Sequence, residues 1–257
     1  MKELHYFDRL TSSDVAISQR SLPFVRSSQD RMRIALDRAR DDRDRDFLSR
    51  FEKLSQQQSV DVEAYANLFG LKKTLLTGDI TPGYSILPEP VVGRIVSRFP
   101  DMKVTFIARD PVERAWSQIS MYVRRGLIEP FDPNDVERID EQLGRPEVLA
   151  RSYPTETVRR WRNKVNPDLF RVYFFDDLKS DPESLRASIL KFLGGDPQKS
   201  SGTLPPEYNA KATKEKLPLT NAARAHLAKF FEDELQACAK ELAGPATEWQ
   251  KRYGSWA

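Results

Sequence analysis

An arginine, an aspartate, a proline and a glutamate cluster in Lys103–Gln118 (KVTFIARDPVERAWSQ), the stretch of this 257-residue chain best suited to bind an anion. Lys103–Ala108 is a short apolar run rich in β-branched residues and predicts a strand. Asp110 then offers an N-cap, Pro111 suits the first helical position and Glu113 completes a capping box, so a helix is expected over Pro111–Arg125. Arg109 would stand at the carboxyl end of a strand, beside free helix N–H groups and the positive end of a helix dipole, where a phosphate fits. Ser117 lies two turns along, on the face of Glu113 and Arg114, and can offer a hydroxyl to the same anion. A plainer account pairs Arg109 with a carboxylate and leaves Ser117 on the surface; spacing alone keeps both open.

Three other stretches hold polar groups of interest. In Lys2–Asp8 (KELHYFD), an extended backbone would put Glu3 and His5 on one side and pack Leu4 and Phe7 elsewhere. The rival account is a solvated chain terminus. In Thr77–Tyr84 (TGDITPGY), Asp79, Thr81 and Tyr84 would sit at a strand's carboxyl end, with Pro82 and Gly83 as the turn, or form an ordinary turn without a ligand. The long Pro- and Lys-containing loop over Gly195–Leu217 carries Lys211, Lys214 and Lys216. Loops of that length within compact domains are often functional.

The elements that must position these groups alternate. Helices are expected at Gln29–Gln58, Val60–Phe69, Pro90–Arg98, Thr155–Lys164, Asp181–Leu193 and Thr220–Leu242, and further strands at Lys73–Gly78 and Arg171–Phe175. The economical packing is an α/β fold, a parallel sheet with helices on both faces and ligands beyond the carboxyl ends of the strands. Prolines are scattered as punctuation and no linker interrupts the chain, so a single domain over 1–257 is expected. The charge run Asp37–Arg50 reads as a solvated helix face.

Composition narrows the chemistry. No apolar run nears the ~20 residues of a membrane span, and the opening lacks a secretory pattern, which predicts a cytoplasmic protein. One cysteine and two histidines give no disulfide and little for a metal site, so none is expected. A net charge of +3 suits an anionic ligand and is far from a nucleic-acid signature. No G-x-x-x-x-G-K-[ST] loop supports a nucleotide phosphotransferase.

Against this background the Arg109–Ser117 run resembles the 3′-phosphate-binding motif of sulfotransferases that use 3′-phosphoadenosine 5′-phosphosulfate (PAPS). Lys2–Asp8 resembles that family's catalytic-base segment, Thr77–Tyr84 its active-site segment, and Arg171–Gly194 its later strand, acidic turn and helix. The order agrees, and the bacterial and heparan-sulfate-like branch is the most similar. The resemblance implies sulfuryl transfer from PAPS to a hydroxyl of a carbohydrate or small molecule, without a metal. It implies Glu3 as base, His5 and Asp8 as its support, and Arg109 with Ser117 as the 3′-phosphate clamp. Asp79, Thr81 and Tyr84 would serve the substrate, and Lys211, Lys214 and Lys216 would lie in a loop closing over the nucleotide. Ile80 stands where the family often has a lysine, which departs from a heparan-type acceptor site. The family's 5′-phosphosulfate loop is not found in the sequence; it would precede Lys2 by about 30 residues, one strand and one helix. The expected fold is therefore P-loop-NTPase-like but without its first strand and phosphate loop, N-terminally incomplete. The alternative function is an inactive relative that binds 3′,5′-phosphoadenosine or a protein partner.

Overall fold

Asp41 breaks the long helical pattern expected from Gln29 to Gln58. Its side chain accepts from the Asp44 backbone N–H at 2.8 Å and so caps a new helix, α1 (Asp42–Ser55), separated by a short turn from helical residues 32–37. Aspartate side chains compete with helix backbone in this way and favour caps over interiors. The computed structural model describes residues 3–7, 32–57, 59–199 and 216–254, so the expected helix start at Gln29 lies outside the described residues. The chain divides into two compact units, Met1–Met102 and Lys103–Ala257.

In the first unit, α1 buries Leu48, Phe51 and Leu54 on one face and turns most of its charge run to solvent. Asp44 departs from that pattern: the Lys72 ammonium bonded to it holds its carboxyl far below the usual range. Helix α2 (Val62–Gly70) is capped by Asp61 and buries Tyr65 and Leu68, and α3 (Glu89–Arg98) buries Val91, Val92 and Ile95. Between them, the strand expected at Lys73–Gly78 is not formed. Lys73 takes a left-handed backbone (φ 54°), and the chain through Leu75 forms turns, with the Lys73 N–H donating to the Gly70 carbonyl and the Leu75 N–H to the Lys72 carbonyl, each at 3.1 Å, leaving Leu75 and Leu76 more than half exposed. A strand exists only through pairing, and no strand lies beside this segment among the described residues of the unit.

In the second unit, β1 (Val104–Ala108) and β2 (Phe170–Phe174) pair in parallel, from Val104 opposite Phe170 to Ala108 opposite Phe174. A parallel pair needs a crossover. Here it runs through α4 (Pro111–Arg124), α5 (Val136–Leu143), α6 (Pro146–Leu149) and α7 (Pro154–Arg162). After β2 come α8 (Phe175–Ser180) and α9 (Pro182–Leu193), closed by Gly194 in the left-handed region (φ 88°), then α10 (Asn221–Phe230) and α11 (Glu232–Glu241). The last two were expected as one helix over Thr220–Leu242. The break falls at Phe231, which is buried and packs edge-on to Tyr153 and Phe230, so core packing sets the bend. Val112, Ala115 and Ile119 of α4 join Leu227, Phe231, Leu235 and Trp249 in the core.

Helix α7 begins with Pro154 and no side-chain cap of its own. Glu234, from α11, serves instead: its carboxylate accepts from the Thr155 backbone N–H at 2.9 Å and from the Thr155 hydroxyl at 2.7 Å. Burial pushes the Glu234 carboxyl above its ordinary range. A folded-state value above the unfolded one means a contribution fully present below the unfolded pKa and lost as pH rises through the folded pKa. Glu234→Gln keeps the acceptor oxygen and removes this loss. The melting temperature of the variant relative to the parent should therefore be more favourable at pH 7 than at pH 4; an equal gap at both would exclude the effect.

Candidate active site

In the first unit, residues 3–7 are part of the core. Leu4, Tyr6 and Phe7 are buried; Tyr6 stacks on Tyr65 with centroids 4.7 Å apart, and Phe7 meets Tyr65 edge-on. The backbone is held from Thr77–Tyr84. Thr81 Oγ1 accepts from the N–H of Leu4 at 3.1 Å and of His5 at 3.4 Å, and the Tyr84 hydroxyl accepts from the N–H of Tyr6 at 3.0 Å. Asp79 organises these groups: it accepts from the hydroxyls of Thr81 (2.7 Å), Tyr84 (2.6 Å) and Tyr65 (2.8 Å). Burial, and then the neighbouring Tyr84 and Asp79, push the Tyr65 phenol far up, so it remains a donor. Thus Asp79, Thr81 and Tyr84 direct their polar atoms at the 4–6 backbone, while Glu3 bonds to His5.

The segment is not extended as the period-two pattern would have it. His5 lies in the left-handed region (φ 53°), uncommon for a residue with a side chain and costly unless its surroundings enforce it. Glu3 and His5 nevertheless meet: Glu3 Oε2 is 2.9 Å from His5 Nε2, with the side chains 27% and 30% exposed. The pair is neither sealed nor fully solvated. Glu3 also lines a cavity of about 1040 Å³, within the first unit, with Phe47, Leu48, Phe69, Lys72 and Thr77. Its lining is mixed: apolar side chains alternate with the carboxylates of Glu3, Asp41 and Asp44 and with basic side chains that include Lys72. Asp8 lies outside the described residues.

In the second unit, the strand register builds the anion site. The paired strand ends Ala108 and Phe174 are followed by Arg109 and Phe175, and the Arg109 guanidinium sits 4.7 Å from the Phe175 ring centroid. Asp110 caps α4, accepting from the N–H of Val112 at 2.9 Å and, more weakly, from that of Glu113 at 3.4 Å. Its other oxygen accepts from the Tyr253 hydroxyl, and burial raises its carboxyl above the ordinary range. Glu113 is bonded by Lys179 at 2.8 Å and lies 3.5 Å from Arg109. Burial opposes its ionisation, but Lys179 and Arg109 hold it below the ordinary range. The Arg109–Glu113 contact is an ion pair too long for a good hydrogen bond, and Arg109 Nε is buried without a partner.

Ser117 is exposed one turn beyond Glu113 and makes no hydrogen bond among the described residues. Trp116 Nε1 donates to the Leu217 carbonyl at 3.0 Å, and the Leu217 N–H donates to Ser120 Oγ at 2.9 Å. This pins the end of the long loop to the two residues that bracket Ser117 and starts Lys216 next to α4. Lys211 and Lys214 lie outside the described residues. The spacing did not single out Arg114 and Arg151, which belong to the same surroundings. Burial, then the charges of Arg151 and Arg109, push Arg114 down to about 10. Arg114 could have been found from its place one turn beyond Asp110; Arg151 carries no local signal. Among the described residues no group of three or more histidines, cysteines or carboxylates could hold a metal ion, and no helix is long and apolar enough to cross a membrane.

A family model described as "Sulfotransferase family" matches residues 25–198, well over half of the chain. No curated protein matches. Among solved structures, the sulfotransferase from Alicyclobacillus acidocaldarius is similar, with a TM-score of 0.56 and 19% identity over 78% of each chain. At that identity the likeness concerns the fold, a helix-rich, P-loop-like α/β arrangement with a parallel sheet.

Proposed function

This chain belongs to the sulfotransferase family, and from that premise we propose that it moves a sulfuryl group from PAPS to a hydroxyl of a small-molecule or carbohydrate acceptor. The observation that carries this reading is the Glu3–His5 pair at 2.9 Å, with Glu3 in the lining of the 1040 Å³ cavity. Glu3 takes the proton as the acceptor oxygen bonds to sulfur. The bond from sulfur to the 5′-phosphate oxygen breaks, and its electron pair leaves with 3′,5′-phosphoadenosine. His5 orients the carboxylate, and Asp79, Thr81 and Tyr84 serve the substrate end by fixing the base segment. Arg109 and Ser117 take the 3′-phosphate, with Lys216 entering from the loop.

The test supplies donor labelled in its sulfuryl group together with phenols, aliphatic alcohols and monosaccharides in separate reactions. Label should pass to at least one class, saturably in both substrates. If the protein binds 3′,5′-phosphoadenosine but transfers label to none of them, the binding relative replaces the enzyme.

A further inference from the structure

Glu3 shares its cavity with apolar side chains that the fold leaves in water. Leu75 and Leu76 are 54% and 58% exposed and Ile34 is 43% exposed, and all three line the cavity. The half-buried rings of Phe47 and Phe69, edge-on with centroids 5.7 Å apart, complete its apolar part. The two leucines are adjacent in a segment that pairs with no strand among the described residues, so no ladder or core draws them in. Exposed apolar groups gathered around one concavity, rimmed by polar ones, mark a ligand surface.

The charged groups of the lining are engaged with one another. The Asp41 carboxylate accepts from the Arg43 guanidinium at 2.9 Å and from the Asp44 backbone N–H at 2.8 Å. The Asp44 carboxylate accepts from the Lys72 ammonium and from Arg40 Nε at 3.2 Å. Lys72 in turn stands 5.3 Å from the centroid of the Phe47 ring. Two of the three cavity carboxylates, Asp41 and Asp44, are thus taken, and the third, Glu3, is the proposed base. Among the described residues the lining holds no asparagine or glutamine, and only Arg38 and the Thr77 hydroxyl lack a side-chain partner. A monosaccharide brings several hydroxyls, each of which needs a partner once water is removed. An apolar body needs none.

We infer that the acceptor carries its hydroxyl on an apolar body, as a long-chain alcohol or a fused-ring phenol does, and that Leu75 and Leu76 set this preference over sugars. The inference rests on Glu3 as the base in the reading above and names the acceptor class for that site. With the hydroxyl at the Glu3 carboxylate, the body lies on Leu75, Leu76 and Ile34 and removes their exposed surface from water. The cavity volume, about 1040 Å³, is at the upper end of small-molecule sites and admits a body of that size.

The experiment measures equilibrium binding of naphthol, decanol and glucose, and sulfate transfer to each from labelled donor, for the whole chain, Leu75→Gln, Leu76→Gln and Leu76→Met, with the melting temperature of each protein. Naphthol or decanol should bind and be sulfated with a higher kcat/KM than glucose. Each glutamine variant should raise Kd and KM for the apolar acceptor by about 3- to 10-fold, with the loss in KM rather than kcat. It should melt with the parent, because these exposed side chains do little for the fold. Leu76→Met should recover most of the affinity. Transfer to glucose in preference to both apolar alcohols would overturn the inference and leave sulfuryl transfer intact. Equal affinity of the parent and both glutamine variants, or no binding of either apolar alcohol, would also overturn it. Binding weakened as expected in the variants, with no transfer to any acceptor, would keep the preference of the cavity and reject the transfer reading.

Discussion

Glu3→Gln is expected to lower kcat for sulfate transfer by about 10²- to 10⁴-fold, the usual contribution of a positioned general base. The change is nearly isosteric, and the amide can still meet His5 Nε2 where the carboxylate stands at 2.9 Å. The segment is held by Thr81, Tyr84 and the Tyr6–Tyr65 stack, none of which uses the Glu3 side chain, so stability should be unchanged. Binding of 3′,5′-phosphoadenosine should also be unchanged, because the proposed 3′-phosphate groups, Arg109 and Ser117, are other residues. Measured with labelled donor at saturating acceptor, turnover equal to the parent's would end the assignment of Glu3 as base. A loss of nucleotide affinity in parallel with turnover would point to misfolding.

Asp79→Ala is expected to destabilise the protein by roughly 3–5 kcal/mol, from three hydroxyl donors left without their acceptor at ~1–3 kcal/mol each, discounted for the partial exposure of Tyr84. That is a large share of the ~5–15 kcal/mol of a typical domain. The Tyr65 phenol cannot escape the loss by ionising, since burial pushes its pKa far up. Thr81 and Tyr84 would retain their contacts to the 4–6 backbone but lose the group that orients both, so turnover should fall as well. Asp79→Asn keeps one acceptor oxygen and should lie between the two. Urea denaturation decides the matter: a midpoint for Asp79→Ala within error of the parent would show that Asp79 is not the hub.

The strand-to-helix junction at Arg109 was legible because everything that forms it is local. A β-branched run, an aspartate cap and a proline at the first turn act within a few residues of one another, and α4 begins at Pro111 as they dictate. The same holds for β2, for α2 and for the start of α9 at Pro182 after the Asp181 cap. The period-two pattern put Glu3 and His5 on one side, and they do meet, although the backbone that brings them together is not extended at His5; their roles came from the resemblance alone.

What the tertiary structure decided concerns partners distant in sequence. Lys73–Gly78 has the composition of a strand, yet a ladder needs a neighbour, and none pairs with it among the described residues. The single helix expected over Thr220–Leu242 bends at Phe231 because that ring belongs to the core. Asp79, Thr81 and Tyr84 flank and enter the short 3-10 helix Pro82–Ile86 and do not follow the strand expected before them, and long-range packing chose the backbone of residues 4–6 as their partner. The orphaned Nε of Arg151 gave no sign at all, since whether a nitrogen is bonded depends on what surrounds it. Spacing along the chain fixes which groups can share a face of one element; pairing between elements fixes which hydrogen bonds are satisfied and which charges are left for a ligand.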